Sequence, residues 1–435
     1  MPERFHAAPA QTKPAAVLMT PADGPWWHPF DDAQLDKLVE QAMASSPTLA
    51  QATARLSQAQ ARLQTQQAAA APQVSLSAAA VRQGGPLLNA AGDTGTLWSA
   101  QVQGQMTLDW LGLLQTAQAA RQHDAQAAEQ TLAVARLLLQ TEVVQQYWRW
   151  RAAHDEWQLA TLQHARQQQA LGALQQRVQG GTVAALALAP VQQALARAEA
   201  DLAGLLAERD TALNQLAWLT GQAPSTLNLD GQAAWQGHDV PDVPAGLPSQ
   251  LLVRRADVLA AQAGLQAALM RAGMARQAWW PQLALTASGG QAASNWRELL
   301  QATARSWGLG LVGSLPVFDG GRRQADQRLA DADVQAAAAA YQQAVFTAFR
   351  EVEDALVGQR AASQLGQARH QAVLSAEQIT RVARQRLALG LGPAQALWQA
   401  EVDEAAQRRE WVRAQAQQRQ AHASLIRALG GSWGG

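Results

Sequence analysis

The segment Pro72-Gln73-Val74-Ser75-Leu76 recurs 209 residues later as Pro281-Gln282-Leu283-Ala284-Leu285. The same offset aligns further residues of distinctive type: Trp98 with Trp307, Gly112 with Gly321, Arg177 with Arg386, Gly181 with Gly390 and Gly221 with Gly430. An alanine- and glutamine-rich composition would align alanines by chance, but it would not align proline, tryptophan and glycine together at one offset. The sequence therefore predicts an internal duplication, which has to be recognised before any local pattern is interpreted.

The duplication suggests how the chain is divided. We predict a first repeat over residues 26–221 and a second over 249–430, joined by a proline-rich segment at 222–248. Each repeat should contain a helix, then a β-hairpin (72–108 and 281–316), then a long helical hairpin (113–221 and 322–430). Residues 1–25 contain five prolines and predict an extended arm, and residues 431–435 form a short tail.

Both β-hairpin segments alternate in polarity, which is the pattern of a strand with two different faces. Val74 and Leu76 would lie on one face of the first strand, and Ser75 and Ser77 on the other. The strands are about 9–11 residues long, which is the length that a tilted strand needs to cross a bilayer. A half-buried sheet in a soluble protein shows the same alternation, so the pattern leaves both interpretations open.

Two stretches, 113–179 and 322–389, lack proline and contain little glycine. Each predicts one helix of about 67 residues, or about 100 Å at 1.5 Å per residue. Helices of this length exceed a single globular domain and predict a coiled-coil or barrel-like arrangement. Glycine-containing turns at 180–181 and 389–393 would reverse the chain into the second helix of each hairpin.

Four strands cannot close a membrane barrel alone, because the smallest such barrels have about eight strands. An open sheet would leave unpaired backbone groups at its edges in lipid. If the strands cross a membrane, closure therefore requires several chains.

Composition excludes several classes of protein. The 34 Lys and Arg residues balance 34 Asp and Glu residues, so no net charge favours nucleic-acid binding. The absence of cysteine excludes a disulfide scaffold, a thiolate metal site and a cysteine nucleophile. Apolar runs reach about eight residues, against the roughly 18–20 that a membrane-spanning helix needs. The first 25 residues lack the apolar core of roughly 7–15 residues that a secretory signal contains.

No motif predicts an enzyme, a cofactor or a metal. Residues 308–313 satisfy the glycine spacing of a dinucleotide site, but they lie within an alternating strand and Pro316 follows where a helix should begin. The eight histidines show no recurring ligand spacing. The carboxylates Glu351, Glu353 and Asp354, like Asp403 and Glu404, are more typical of exposed helix faces than of a catalytic pair.

Four segments together carry a family resemblance: Arg254-Arg255-Ala256-Asp257-Val258, Ala278-Trp279-Trp280-Pro281-Gln282-Leu283, Leu315-Pro316-Val317-Phe318-Asp319-Gly320-Gly321-Arg322 and Phe349-Arg350-Glu351-Val352-Glu353-Asp354-Ala355-Leu356. They resemble the TolC-like outer-membrane efflux channels, and most closely the NodT/OprM-type branch. The resemblance covers nearly the whole chain from about Trp26. The Leu-Pro-Val-Phe-Asp-Gly-Gly turn, followed by the Arg-Glu-Val-Glu-Asp helix, is its most specific part.

The resemblance implies a homotrimer in the outer membrane of a Gram-negative bacterium. Each chain would give four strands to a twelve-stranded barrel, and its helices would form a periplasmic tunnel. The tunnel would passively conduct small toxic compounds or drugs received from an adaptor and an inner-membrane pump. The alternatives are a type I protein-secretion duct of the same fold and a soluble periplasmic helical scaffold.

On this interpretation the two faces of the strands have different surroundings. Polar residues would line the barrel lumen: Ser75, Ser77, Gln101, Gln103, Gln105, Thr286 and Ser288. Apolar and aromatic residues would face lipid or its interface: Trp98, Val102, Trp279, Trp280, Trp307, Leu309 and Leu311.

The resemblance also implies roles for the tips of the helical hairpins. The adaptor would dock at Gly180, Gly181, Leu389 and Gly390. The family carries acidic residues at the periplasmic entrance, a few residues beyond the glycine of the second hairpin, and this sequence has Ala396 and Gln399 there. The matching entrance positions of the first repeat are Ala187 and Pro190. We therefore expect an entrance without the usual acidic ring, and we expect Pro190 to kink its helix or delay the start of that helix.

NodT-type members resemble lipoproteins that have a signal peptide and an acylated cysteine. Neither feature is present in this sequence. We therefore expect either that this chain lacks its leader or that it has no lipid anchor.

Overall fold

A computed structural model describes residues 25–84, 94–231, 254–297 and 305–431. The predicted N-terminal arm up to residue 24, residues 232–248 of the predicted joint and residues 432–435 of the tail lie outside the described residues. Within the described ranges, no helix combines the length and apolar character that a membrane-crossing helix needs.

The described chain is mainly helical and contains one four-stranded sheet, as the sequence predicts. The first repeat contains α1 (Ala33–Ser45), α2 (Pro47–Ala69), β1 (Gln73–Gly84), β2 (Thr94–Leu108), α3 (Leu113–Gln179) and α4 (Leu188–Leu219). The second contains α5 (Ala256–Gln277), β3 (Gln282–Ala293), β4 (Arg305–Ser314), α6 (Arg322–Ala388) and α7 (Ala394–Ala428).

The two long helices, α3 and α6, have 67 residues each. An aspartate between the preceding strand and the helix caps each one. Asp109 accepts hydrogen bonds from the backbone N–H groups of Leu114 and Gln115 at 2.9 and 3.0 Å, and Asp319 accepts one from Arg323 at 3.3 Å. These bonds satisfy helix N–H groups that have no partner within the helix, two at the start of α3 and one at the start of α6.

α4, which follows the turn of the first helical hairpin, begins later within its repeat than α7 does. At the 209-residue offset, the start of α7 at Ala394 corresponds to residue 185, but Ala185–Ala187 form a 3₁₀ turn and α4 begins at Leu188. Pro190 then lies in the first turn of α4, where its missing N–H costs no hydrogen bond. The late start agrees with the delay expected from Pro190.

The sheet is antiparallel throughout, in the order β1-β2-β3-β4, so β1 and β4 form its two edges. In the first hairpin Gln73 lies opposite Gln105, and in the second Gln282 lies opposite Ser314. Gln282 and Ser314 lie 209 residues after Gln73 and Gln105, so the strands of the two hairpins pair in the same register. The duplication therefore extends from the sequence to strand pairing.

The chain forms two compact units. One comprises Met1–Ala52, Leu132–Val258 and Val345–Gly435, and the other comprises Thr53–Thr131 and Leu259–Ala344. Each unit contains segments of both sequence repeats, so the compact units are not the repeats. The repeat boundaries remain predictions from the sequence.

The first unit has an apolar core that includes Leu35, Val39, Val143, Leu216, Val352 and Leu425. A buried arginine, Arg255, lies beside this core. Its guanidinium donates to Asp257 at 2.7 and 2.9 Å, to Glu351 at 2.7 Å and to the Ala428 carbonyl at 2.9 Å. Arg255 thereby links the start of α5 to α6 and to the end of α7.

The second unit contains the sheet together with most of α2, most of α5 and the adjoining parts of α3 and α6. Small residues of α5 are buried, among them Ala267 and Ala272, which allows close helix packing. Ion pairs add to this packing: Arg271 contacts Asp124 of α3, and Arg276 donates to Asp331 of α6 at 2.8 Å.

Candidate functional site

One face of the sheet is predominantly polar. Residues directly opposite one another on paired strands point to the same face. Ser75 lies opposite Gln103, which in turn lies opposite Ser288, and Gln105 lies opposite Thr286. Ser77 lies opposite Gln101. The structure therefore places all seven residues predicted for the lumen on one face of the sheet.

The other face is predominantly apolar. Leu76, Val102 and Trp307 belong to one cross-strand row, in which Gly289 occupies the position on β3. Leu309 and Leu311 lie on the same face, and so does Trp98 through its pairing with Ala80. This face is uncovered in the single chain: Trp307 is 86% exposed and Leu309 70% exposed.

Several residues depart from this division between the two faces. Apolar side chains on the polar face include Val81, Leu97 and Val312. Polar or charged side chains on the apolar face include Arg82, Gln291 and Arg305, close to the strand ends that lead into the loops. Sequence reasoning did not single out these positions, although the alternation identifies them once the register is known. Arginines at strand ends can extend their charge beyond an apolar zone.

Two of the three glycines of β4 face the polar side. Gly308 and Gly310 lie opposite Ser288 and Thr286, and the Thr286 hydroxyl donates to the Gly310 carbonyl at 3.2 Å. The glycine spacing at 308–313 thus belongs to the interior of a strand. A dinucleotide site instead needs this spacing where a strand turns into a helix.

A tryptophan cluster lies where the strands join the helices. The indole of Trp110 donates to the Pro281 carbonyl at 3.2 Å and packs edge-on against Trp280, with ring centroids 6.2 Å apart. The guanidinium of Arg323 lies 4.3 Å from the ring centre of Trp279. Sequence reasoning identified Trp279 and Trp280 but missed Trp110 and Arg323, because the contacts join turns far apart in sequence.

Trp98 and Trp307 lie near the opposite ends of the strands from this cluster. About ten residues of β2 separate Trp98 from Leu108, or roughly 33 Å at the strand rise. Exposed tryptophans therefore flank the apolar face at both strand ends. This arrangement is typical of strands with a membrane interface at each end.

The hairpin tips are tight glycine turns. Gly181 and Gly390 have φ angles of +71° and +70°, and the residue after each donates its N–H to a carbonyl five residues earlier, at 3.0 and 2.8 Å. No atom lies within 4 Å of the position that a Cβ would occupy on either glycine. Leu389 is exposed beside Gly390. The tips are thus closed by backbone hydrogen bonds and open around their glycines.

The four positions assigned to the entrance carry no charge. Pro190, Ala396 and Gln399 are exposed, and Ala187 is half-buried. The nearest carboxylates on α7 are engaged with neighbouring side chains: Glu401 with Arg384 at 2.9 Å, Glu404 with Arg408 at 2.8 Å, and Asp403 with the Gln399 amide at 3.0 Å. Free negative charge is therefore reduced along this part of the helix.

A nearly buried carboxylate lies farther along α3. The Glu156 side chain is 3% exposed, and Arg413 of α7 lies 2.7 Å from one of its oxygens. Burial raises the pKa of Glu156, and Arg413 offsets only part of this effect. Sequence reasoning did not identify this pair, because its two residues are far apart in the chain.

Comparison with known proteins places these features in a family. The family model described as "Outer membrane efflux protein" matches residues 38–222 and 247–431. The two matched segments are displaced by 209 residues, which is the offset of the sequence repeat. The model therefore matches each repeat separately, and the predicted duplication is confirmed.

Several known proteins are similar over most of their length. Outer membrane protein OprJ of Pseudomonas aeruginosa is 29% identical over 99% of this chain and 90% of its own. Pyoverdine export outer membrane protein OpmQ of Pseudomonas putida is 30% identical over 97% of this chain and 91% of its own. Cation efflux system protein CusC of Escherichia coli K12 is 28% identical over 76% and 72%.

Solved structures agree with the fold. The outer-membrane channel OprN superposes with a TM-score of 0.86 at 25% identity, covering 99% of this chain and 96% of that one. The outer membrane protein VceC of Vibrio cholerae superposes with a TM-score of 0.82 at 26% identity, covering 94% and 99%. The resemblance seen in the sequence is confirmed in both sequence and structure, and the chain belongs to the outer membrane efflux protein family.

Proposed function

We propose that three copies of this chain form an exit duct of a tripartite efflux system in the outer membrane. Each copy contributes its four strands to a closed barrel and its helices to a periplasmic tunnel. The duct conducts its cargo passively, without chemistry or cofactor, and an adaptor and an inner-membrane pump deliver the cargo. The observation that carries the proposal is the two-faced sheet with an open edge on each side.

The physical argument starts from the apolar face. In water, exposed side chains such as Trp307, Leu309 and Leu76 would favour aggregation. In lipid that face is favourable, but the open edges at β1 and β4 are not, because their backbone groups lack partners. Closing the sheet with other copies satisfies both edges and turns the glutamine and serine side chains toward an aqueous interior.

Neighbouring residues of β2 provide a direct test of the two faces. Gln103→Lys should assemble normally and shift the pore toward anion selectivity, because its side chain lies in the lumen. Val102→Lys should assemble poorly, since a lysine facing lipid near the midplane costs about 2–4 kcal/mol. Outer-membrane yield and reversal potential in planar bilayers measure the two effects. Normal assembly of Val102→Lys together with failure of Gln103→Lys would contradict the proposal.

The proposed cargo is a range of small toxic compounds or drugs. The related OpmQ and CusC are named for pyoverdine export and cation efflux, so the family carries chemically different solutes. The lumen residues proposed here are uncharged amides and hydroxyls, which can hydrate many solutes without selecting their charge. Weak ion selectivity of the unmodified pore in bilayers is the expected result.

We place the adaptor contact at the tips, on Gly180, Gly181, Leu389 and Gly390. Gly181→Leu and Gly390→Leu should impair efflux while trimers persist, because each leucine would project from an open turn into the docking surface. Gly181→Asn is the matched control, since asparagine tolerates the left-handed conformation with a small side chain. The drug sensitivity of cells measures efflux. Unchanged efflux in both leucine variants would contradict the proposal that the adaptor docks at the tips.

We also propose that Ala187, Pro190, Ala396 and Gln399 leave the entrance without a charged constriction. Introducing the family's acidic pattern as Ala396→Glu with Gln399→Glu should add cation selectivity to the pore. The matched pair Ala396→Gln with Gln399→Asn should not. Equal reversal potentials for the two double variants would place these positions away from the conduction path.

A further inference from the structure

The charged residues of the four strands all lie at one end of the sheet. Arg82 is two residues before the end of β1, and Arg305 is the first residue of β4. β2 and β3 contain no charged residue. We refer to this end of the sheet, which is opposite to the end that leads into α3 and α6, as the loop end. Its described residues are 81–84, 94–98, 291–297 and 305–307.

The two arginines occupy matching places in the two hairpins. Arg82 lies opposite Thr96, and Gln291 lies opposite Arg305. The second of these pairs is 209 residues after the first, which is the offset of the repeat. Each hairpin therefore has one arginine in the same cross-strand pair, and in both cases the arginine is on the strand at the edge of the sheet.

Each arginine lies just beyond a tryptophan of the apolar face. Trp307 is two residues from Arg305 along β4, and Trp98 is two residues from Thr96, the partner of Arg82. Two residues of a strand span about 7 Å. Tryptophans at strand ends are typical of the boundary between the hydrocarbon core and the headgroups of a membrane. A guanidinium one such step beyond that boundary lies at the level of the headgroups.

Neither guanidinium is neutralised by the part of the chain that the structure describes. Both arginines are exposed, and neither side chain forms an ion pair or a hydrogen bond with a described residue. No Asp or Glu occurs among the described residues of the loop end. At the other end of the sheet, by contrast, Arg323 pairs with Asp319 at 2.6 Å. The loop end thus presents positive charge on its apolar face without a described carboxylate to balance it.

We propose that Arg82 and Arg305 bind the phosphate groups of phosphorylated lipid headgroups in the outer leaflet of the membrane. The inference rests on the proposed duct, in which the helices lie in the periplasm and the loop end reaches the outer leaflet. A guanidinium offers paired N–H donors that match the oxygens of a phosphate group. The apolar face beside each arginine accommodates the acyl chains of the same lipid, a contact that a free phosphate ion cannot make.

The face on which each arginine lies provides a matched control. Val81 and Ser306, the neighbours of Arg82 and Arg305, lie on the polar face. A face-swapped variant combines Arg82→Gln and Val81→Arg with Arg305→Gln and Ser306→Arg. This variant keeps the net charge at the loop end, but it turns both guanidiniums from the lipid toward the proposed lumen.

The binding of lipid to the assembled full-length chain tests the proposal. Assemblies in micelles of a neutral detergent are mixed with lipid A, a phosphorylated glycolipid, or with lipid A from which the phosphates have been removed. Native mass spectrometry measures the bound lipid, and the unmodified assembly should retain the phosphorylated form preferentially. Arg82→Gln with Arg305→Gln should lower its retention about tenfold, because each arginine attracts an anionic headgroup. The face-swapped variant should lose as much.

Arg350→Gln removes an exposed charge from α6 and should leave lipid retention unchanged. Equal retention of the two lipids by the unmodified assembly would overturn the inference without any variant. Full retention by the face-swapped variant would also overturn it, since net charge would then be sufficient. Complete displacement of lipid A by excess inorganic phosphate would indicate a site for a free anion and would contradict a lipid site.

Trimer mass and pore conductance, measured on the same samples, separate this inference from the proposed duct. A conducting trimer without preference for the phosphorylated lipid would overturn the lipid site and leave the duct intact. A monomer without conductance would end both proposals.

Discussion

Gly289 and Gly290 are neighbours on β3 with different surroundings. A Cβ on Gly290 would lie 2.6 Å from the Ala100 carbonyl and from the Gln101 Cβ, whereas nothing lies within 4 Å of one on Gly289. Gly290→Ala should therefore force β2 and β3 apart and cost about 1–3 kcal/mol, and Gly289→Ala should be nearly neutral. The dissociation temperature of the assembled protein in detergent measures both, and equal temperatures would contradict this account of the β2–β3 contact.

Arg255 has four hydrogen bonds in a buried position, and its removal would take the charged donor away from two carboxylates and a carbonyl. Arg255→Met should lower the free energy of unfolding by about 3 kcal/mol. Arg350 forms a pair with Asp354 in which both side chains are about two-thirds exposed, so Arg350→Met should cost at most about 1 kcal/mol. Denaturant titration of the two variants should therefore give clearly separated midpoints. Similar midpoints would show that Arg255 does not stabilise its unit.

Glu156 makes the stability of the first unit depend on pH, and the raised pKa of Glu156 sets the direction of that dependence. Burial raises its pKa in the folded chain above the ordinary value of 4.5, so its contribution to stability is greatest below pH 4.5. That contribution is lost as the pH rises through the raised folded pKa. Glu156→Gln should flatten this part of the profile and make the variant relatively more stable at neutral pH.

Thermal denaturation between pH 4.5 and 8 measures the effect of Glu156. The exposed Asp354→Asn removes one negative charge without removing a buried one, and serves as its control. A Glu156→Gln profile parallel to that of the unmodified chain would show that burial does not control this carboxylate.

At the scale of elements, the long helices and the hairpins were predictable because their signals are local. Proline and glycine end α3 and α6, and alternation of polarity identifies the strands. The Trp110 cluster and the Glu156–Arg413 pair were not predictable, because each depends on contacts between segments that are distant in sequence. The late start of α4 is one of the two outcomes expected from Pro190, a kink or a delayed start.

Helix propensity provides a prediction for these elements. Gly172 in α3 and Gly358 in α6 have no atom within 4 Å of the position that a Cβ would occupy, so Gly172→Ala and Gly358→Ala should each stabilise by up to about 1 kcal/mol. A Cβ on Gly366 would lie 3.3 Å from the Gln418 amide oxygen, so Gly366→Ala should gain less. Thermal denaturation ranks the three variants. A loss of stability at Gly172 or Gly358 would contradict the open surroundings described here.

At the scale of the whole molecule, the sequence predicted the family and the two-faced sheet, and both are confirmed. The reason is the duplication, which presents each weak strand pattern twice. The cargo was not predictable, since the proposed lumen residues are uncharged and the related proteins carry different solutes. The strand order, which leaves β1 and β4 at the edges of the sheet, follows only from the pairing of strands, which no single strand pattern contains.

The most direct test of the account is the protein mass of the full-length chain extracted from outer membranes in detergent, measured by light scattering. The account predicts about 139 kDa, three times the 46.4 kDa of one chain. A 46.4 kDa species that stays in solution without detergent would contradict it, because the open edges and the apolar face of the sheet would then need no partner copies.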